Sequence, residues 1–211
     1  TGIAQGIRYI QDFNLKTFDN NPVAVCSLGD NSVTEGEVSE AMQFAALHQL
    51  PIIFLVQDNE WGISVTKEEA RTADAFEFVE GFTGMGRMRF DGTSFTESYN
   101  GMKKAVDFVR AEGKPLVVCA KTVLIGHHTS GVRREFYRDE DNLTLHRAKD
   151  PGVILKKDLL AAGIAENDLV KIEQDAYAYI AESFERAKNA PEPDPAKVSE
   201  HVFSPTPITE E

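Results

Sequence analysis

Three apolar runs rich in β-branched residues constrain the fold of this chain more than any other feature. They occupy residues 23–28, 51–56 and 115–120, and apolar side chains are nearly continuous in each. Strands with this pattern are buried on both faces, as in a parallel sheet covered by helices on its two sides. A weaker strand is predicted over residues 87–90, where an Asp-Gly turn signal follows. The runs therefore predict the strands of one parallel sheet.

Helical patterns lie between and after these runs. A Thr-x-x-Glu capping box at Thr34 and Glu37 predicts the start of one helix. An apolar stripe with helical spacing lies near the start, at residues 3–10. Apolar spacing predicts further helices over residues 95–110, 153–162 and 166–189. Alternating strands and helices imply right-handed crossovers. The predicted fold is α/β, a doubly wound and mainly parallel sheet with a C-terminal helical segment and a Pro-rich tail.

Composition excludes several classes of function. The chain has 211 residues and a net charge of −12, which argues against binding to nucleic acid or an anionic membrane. No apolar run approaches the roughly 20 residues that span a bilayer. The two cysteines, Cys26 and Cys119, lie inside apolar runs, which favours reduced core thiols in a cytoplasmic protein.

Two polar residues follow neighbouring strands at the points where the strands end. Asp30 follows the first apolar run, Asn59 follows the second, and one crossover helix separates them. Both side chains should emerge at the same edge of the sheet, where open α/β folds bind ligands. Alone, each residue would more often serve a turn or a helix cap. Together they offer the hard oxygen ligands that suit Mg²⁺ held with a phosphate.

A long segment without helical or alternating period follows the third run, from Gly126 to Asp150. It should begin at the same sheet edge as Asp30 and Asn59. Such a segment inside a compact domain is usually functional or mobile. His128 is a candidate functional residue there, although His127 and His128 could also be a solvated pair.

Three motifs, in this order, resemble the alpha subunit of 2-oxo acid dehydrogenases, the decarboxylating first component of those complexes. The motifs are Gly29-Asp30 with residues 34–37, Asp58-Asn59 with residues 62–64, and residues 125–130 with Tyr137-Arg138. The resemblance covers nearly the whole chain. It also includes the metal–diphosphate motif of thiamine-diphosphate enzymes, which runs from the strand end at Asp30 to the strand end at Asn59.

The resemblance implies thiamine diphosphate and Mg²⁺ as cofactors. The implied metal ligands are the side chains of Asp30 and Asn59 and the backbone carbonyl of Trp61. The implied cofactor-binding residues are Gly29, Asn31, Gln57, Ile63 and His128. His128 is also the implied catalytic residue. In this family the Glu that activates the aminopyrimidine comes from the beta subunit, so this chain would hold half a site.

The resemblance also implies a reaction and partners. We expect an oxidoreductase that decarboxylates a small 2-oxo acid and passes the acyl group to the lipoyl domain of an acyltransferase component. Residues 125–130 favour a branched-chain acid, as in 2-oxoisovalerate dehydrogenase and branched-chain amino acid catabolism, with pyruvate as the alternative. The partner would be a beta subunit in a hetero-oligomer, or a beta domain if the chain is a fragment of a fused alpha–beta protein, as its Pro-rich end suggests.

On this basis residues 1–150 are predicted to form an N-terminally truncated thiamine-diphosphate-binding domain with an active-site loop at 124–142. Residues 151–189 would be helices packed on it, and residues 190–211 an acidic tail or linker. Thr129 and Ser130 fall where some relatives are phosphorylated, although plain loop hydroxyls are the simpler interpretation.

Three positions depart from the family pattern. Asn31 replaces a Gly, Asp58 replaces an Asn, and Leu124 replaces a phosphate-binding Arg. They leave open a second hypothesis, a scaffold or assembly module that keeps the fold without binding the cofactor. A Rossmann-type nucleotide binder is disfavoured because no Gly-x-Gly-x-x-Gly follows any predicted strand.

Overall fold

The computed structural model describes residues 1–131, 133–200 and 202. The chain divides into two compact units, Thr1–Leu159 and Leu160–Glu211. The strands are β1 (Ala24–Gly29), β2 (Ile52–Asp58), β3 (Trp61–Gly62), β4 (Val65–Thr66), β5 (Gly86–Asp91) and β6 (Leu116–Lys121). The helices are α1 (Gly2–Asp12), α2 (Gly36–His48), α3 (Lys67–Ala70), α4 (Ala75–Phe78), α5 (Phe95–Glu112), α6 (Glu140–Arg147), α7 (Pro151–Ala161) and α8 (Glu166–Lys188). The predicted domain boundaries at residues 150 and 189 stay predictions.

The first unit contains a four-stranded parallel sheet in the order β1-β2-β6-β5. Helix α2 connects β1 to β2, and α5 connects β5 to β6. A separate two-stranded antiparallel ribbon, β3-β4, follows β2. The α/β fold with a parallel sheet and flanking helices is therefore confirmed, and the four predicted strands lie within two residues of their expected positions.

Alternate residues of the central strands point to opposite faces of the sheet, and both faces are covered. Phe54 and Val56 of β2 pack in one core cluster with Met42 of α2. Ile53 packs in a second cluster with Ala105 of α5. This two-sided burial accounts for the near-continuous apolar runs of β2 and β6. Burying one large apolar side chain stabilises the fold by roughly 1.5–3 kcal/mol.

Strand β1 differs from this pattern. It is one of the two edge strands of the sheet in the described residues, and Val25 is 52% exposed. The prediction that both cysteines are core thiols is confirmed for buried Cys119 and wrong for Cys26, which is exposed. An apolar run shows that a strand can be buried on both faces, but its place in the sheet decides whether it is.

The predicted capping box is also wrong. Helix α2 begins at Gly36 after Glu35, and no side chain caps it. Residues Asn31–Thr34 instead form a 3₁₀ turn in which the Thr34 hydroxyl donates to the Asn31 carbonyl at 2.8 Å. Because this turn uses Thr34 locally, the hydroxyl does not serve the α-helix.

The segment after β6 is partly helical, which the sequence did not predict. A 3₁₀ turn lies at Arg134–Phe136 and helix α6 at Glu140–Arg147. The Asp139 carboxylate accepts a hydrogen bond from the Asn142 N–H at 2.7 Å and caps α6. The irregular part of the predicted active-site loop therefore ends before α6 begins.

The two helices predicted after residue 150 are confirmed as α7 and α8. At the other end of the chain, α1 agrees with the stripe near residues 3–10, although Ala4 is buried and Ile3 is 79% exposed. The Pro-rich tail is described over residues 190–200 and 202, with a 3₁₀ turn at Pro195–Lys197. The remaining tail residues lie outside the described part. Among the described helices, none combines the length and apolar character needed to cross a membrane.

Candidate functional site

The carboxyl edge of the sheet gathers charged residues because the strands end in register. Gly29 pairs with Gln57, so Asp30 comes next to Asp58 at the end of β2, and Asp58 pairs with Lys121 at the end of β6. The Glu60 N–H donates to Asp30 Oδ2 at 3.1 Å and lies 3.3 Å from Asp58 Oδ1. The predicted meeting of the two strand ends at one edge is therefore seen directly.

The turn after β2 has a specific backbone conformation. Glu60 and Ile63 have positive φ angles of 69° and 58°, which few non-glycine residues adopt. The Asn59 side-chain oxygen accepts a hydrogen bond from the Trp61 N–H at 3.0 Å and closes the turn. A Cβ atom built on Gly62 would lie 1.8 Å from Asn31 Nδ2, so any side chain at this position would force Asn31 to move. The turn and the residue after Asp30 are thus in close contact.

Arg71 joins the two strand ends. Its NH1 donates to Asp30 Oδ2 at 2.7 Å and to Asn31 Oδ1 at 2.8 Å, and its NH2 donates to Asp58 Oδ1 at 2.8 Å. The side chains of Arg71 and Asp30 are 7% and 5% exposed. Burial raises the pKa of the Asp30 carboxyl, and nearby Asp58 adds to the rise, while Arg71 offsets only part of it.

Lys121 neutralises the additional carboxylate at position 58. Its Nζ lies 2.5 Å from Asp58 Oδ2 and 2.9 Å from Asp74 Oδ2. Burial alone would raise the pKa of Asp58, but Lys121 and Arg71 hold it below its usual value. The Cys119 thiol lies 3.7 Å from Asp58 Oδ2, and burial raises its pKa to about 11, so it stays protonated. The acidic departure at Asp58 is therefore balanced within the fold.

Trp61 connects this edge to the segment after β6. Its ring lies 5.6 Å from that of Tyr137, and the Arg138 guanidinium lies over it at 5.2 Å. Arg138 is 6% exposed and donates to the Leu124 carbonyl at 2.6 Å and to Asn142 Oδ1 at 2.8 Å. Burial lowers the pKa of the Arg138 side chain, with Arg134 and Arg147 adding to the effect. Tyr137 and Arg138 thus link the segment after β6 to Trp61.

The other predicted site residues lie at the surface. Gly29, Gln57, Ile63 and His128 are exposed, and Asn31 is half-buried. His127 Nδ1 accepts a hydrogen bond from the Arg134 N–H at 3.2 Å. Among the described residues, no hydrogen bond or ion pair joins His128 to Asp30 or Asn59. The structure thus brings Asp30, Asn31, Asn59 and Trp61 together, and the role of His128 stays a prediction.

A cavity of about 450 Å³ opens beside this cluster at the same sheet edge. Its walls include Asp58, Lys121, Thr122, Asn142 and His146. His146 Nδ1 accepts a hydrogen bond from the Leu124 N–H at 3.0 Å. Burial lowers the pKa of His146, and the charge of Arg138 adds to the effect. A neutral imidazole therefore forms one wall of this cavity.

Sequence reasoning missed Arg71, Lys121 and Asp74. Lys121 had a usable signal, because it ends its strand in the same way that Asp58 ends β2. Arg71 and Asp74 lie near short helices between β4 and β5, where no periodicity marks them. Their contacts with the site depend on how this connection folds back over the sheet edge.

Comparison with known proteins identifies the family. A family described as "Dehydrogenase E1 component" matches residues 3–196. The chain belongs to this family.

Its relatives include the pyruvate dehydrogenase E1 component subunit alpha of Rickettsia felis, 32% identical over 205 residues, 95% of this chain and 60% of the relative. The same subunit of Zymomonas mobilis is 37% identical over 168 residues, 78% of this chain and 47% of the relative. The mitochondrial 2-oxoisovalerate dehydrogenase subunit alpha of Homo sapiens is 28% identical over 194 residues, 91% of this chain and 44% of the relative. The chain thus spans between 44% and 60% of the length of these curated relatives.

Proposed function

We propose that this chain is the alpha part of a decarboxylating 2-oxo acid dehydrogenase and holds Mg²⁺ and the diphosphate of thiamine diphosphate. One observation carries the proposal within this family. The turn that carries Asn59 and Trp61 is hydrogen-bonded to the Asp30 carboxylate through the Glu60 N–H at 3.1 Å. The proposed metal ligands therefore come from two loops that already lie in contact.

The residues present fit a divalent cation. Carboxylate and amide oxygens are the ligands that Mg²⁺ prefers. The Glu60 N–H and Arg71 NH1 both donate to Asp30 Oδ2, so Oδ1 is the oxygen that we assign to the metal. The Asn59 oxygen accepts one N–H and retains a second lone pair. Asp30, Asn59 and the Trp61 carbonyl would hold the metal, with Gly29, Asn31, Gln57, Ile63 and His128 near the cofactor.

When bound, thiamine diphosphate would supply a carbon nucleophile and the electron sink for decarboxylation. This chain would contribute binding and orientation. Buried Arg71 and half-buried Lys121 neutralise Asp30 and Asp58, so the acidic edge does not repel a diphosphate as strongly as its carboxylates alone would. The activating Glu, the acceptor lipoyl domain and the beta partner would come from other parts of the assembly.

The substrate is proposed as a small 2-oxo acid. The loop sequence at residues 125–130 favours a branched-chain acid, as in 2-oxoisovalerate dehydrogenase. The similarity to pyruvate dehydrogenase subunits favours pyruvate. Steady-state rates of the assembled enzyme with the two acids would decide between them. His128→Ala should lower turnover with the preferred acid, and unchanged kinetics would remove His128 from the site.

Titration of thiamine diphosphate into the assembled full-length protein tests cofactor binding, with calorimetry at several Mg²⁺ concentrations. Asp30→Ala and Asn59→Ala should each abolish Mg²⁺-dependent binding while the fold is kept. Asp107→Ala is a matched control, because the Asp107 carboxylate forms an ion pair with Lys103 on the exposed face of α5. Wild-type affinity in either site variant would refute the metal assignment.

A scaffold or assembly module remains the second candidate, and one observation favours it. The Arg71 guanidinium already contacts oxygens of Asp30, Asn31 and Asp58. An internal cation could therefore replace the metal altogether. Absence of thiamine-diphosphate binding at millimolar Mg²⁺, in a folded wild-type assembly, would support this candidate over the enzyme.

A further inference from the structure

Arg71 reaches the proposed metal site from a chain segment that contains none of the proposed metal ligands. It follows the short helix α3, whose start is fixed by a capping box between Thr66 and Glu69. Its backbone is extended, with φ −154° and ψ 150°, so the helix ends at this residue. The side chain is buried at 7% exposure. The end of α3 thus places the Arg71 side chain at the site.

The guanidinium of Arg71 bonds to both strand ends at once. Asp30 and Asn31 follow β1, and Asp58 ends β2. The three donor–acceptor distances lie between 2.7 and 2.8 Å. A planar guanidinium presents several N–H groups in a fixed fork, whereas an ammonium group is a compact charge on a flexible stem. This arrangement therefore depends on the shape of the Arg side chain as well as on its charge.

We propose that Arg71 is a positioning residue that orients the Asp30 carboxylate so that Oδ1 faces the divalent cation; this role rests on the proposed function. Arg71 NH1 and the Glu60 N–H both bond to Oδ2. Two donors on Oδ2 fix the plane of the carboxylate, and in this proposal Oδ1 is the oxygen that binds the metal. Groups that hydrogen-bond to metal ligands commonly change metal affinity by about 10- to 100-fold when they are removed.

The positive charge of Arg71, considered alone, predicts that removal of Arg71 tightens Mg²⁺ binding. The direction of the change in Mg²⁺ affinity therefore distinguishes a positioning role from charge repulsion. A cation 2.7 Å from Asp30 should weaken the binding of a second cation by simple repulsion. If Arg71 acted only as a competing charge, its removal would tighten Mg²⁺ binding. If it positions Asp30, its removal weakens Mg²⁺ binding, and a lysine that keeps the charge weakens it as well.

The experiment uses the assembled full-length protein. Thiamine diphosphate binding is measured by calorimetry over a series of Mg²⁺ concentrations, which gives the half-saturating Mg²⁺ concentration. The variants are Arg71→Lys and Arg71→Met, each with a control at Arg87. Arg87 bonds to the Phe76 carbonyl and to Glu80 on the surface, away from the strand ends. The melting temperature of each metal-free variant is recorded as well.

We expect Arg71→Lys to raise the half-saturating Mg²⁺ concentration about tenfold and Arg71→Met up to about 100-fold. Thiamine diphosphate affinity at saturating Mg²⁺ should stay within about threefold of wild type, because excess metal compensates for poor orientation. The Arg87 variants should match wild type. Should Arg71→Met fail to fold, the charge-conserving Arg71→Lys variant decides the result.

If wild type binds the cofactor, three results would each overturn the positioning role of Arg71 and leave the proposed function standing. They are an unchanged Mg²⁺ requirement, tighter Mg²⁺ binding, and a loss of affinity that persists at saturating Mg²⁺. The last would assign Arg71 a structural role. Failure of wild type to bind thiamine diphosphate at any Mg²⁺ concentration would instead overturn the proposed function, and the positioning role with it.

Discussion

Loss of Lys121 should destabilise the protein through the buried carboxylate that it neutralises. Lys121 Nζ lies 2.5 Å from Asp58 Oδ2, and the Asp58 side chain is 0% exposed. Removing one partner of a buried pair costs about 3–5 kcal/mol, because the other charge is left without compensation. Lys121 is 36% exposed, and Asp58 keeps Arg71 at 2.8 Å, so both features reduce the cost. For Lys121→Met we expect a loss of about 2–3 kcal/mol.

Urea unfolding followed by fluorescence of Trp61, the single tryptophan of the chain, measures this loss. Lys103→Met is the control. Its bond to Asp107 joins two largely exposed side chains, so it should cost no more than about 0.5 kcal/mol. In a double-mutant cycle, Asp58→Asn in the Lys121→Met background should recover about 1–2 kcal/mol, because the uncompensated charge is gone. A cost below about 0.5 kcal/mol for Lys121→Met, or no coupling in the cycle, would refute this reasoning.

Three further predictions concern acid stability, loop order and the turn after β2. Burial alone would raise the pKa of Asp74, but Lys121 and neighbouring hydrogen bonds lower it from 3.8 to about 2. The stabilisation from ionised Asp74 is therefore present above pH 3.8 and lost as pH falls toward 2. Asp74→Asn should therefore flatten acid unfolding over this window, by at most about 2 kcal/mol; an unchanged acid transition would contradict this. Arg138→Met should speed proteolysis and hydrogen exchange over residues 124–142, whereas Arg133→Met, at an exposed position, should not. Gly62→Ala should weaken Mg²⁺-dependent cofactor binding by displacing Asn31, and wild-type affinity would show that the turn can adjust.

The sequence predicted the sheet well because its strands are buried on two sides. The apolar runs at β2 and β6 match strands that are buried along most of their length, so their type and approximate limits followed from the sequence pattern. The same argument failed for β1 and Cys26, because an edge position depends on which strands pair. Helix α6 was missed because its short apolar pattern, with Leu143 and His146 buried, does not stand out from the loop before it.

At the candidate site, the sequence by itself determined that Asp30 and Asn59 come to one edge. Two parallel strands joined by a single crossover leave no other arrangement, and the family resemblance gave these residues a proposed role. The tertiary structure decided how their charges are balanced. Arg71 and Lys121 reach the edge from a connection without periodicity and from another strand. Because Coulombic compensation acts through space between residues far apart in sequence, only the folded chain could show that the carboxylate at Asp58 is neutralised.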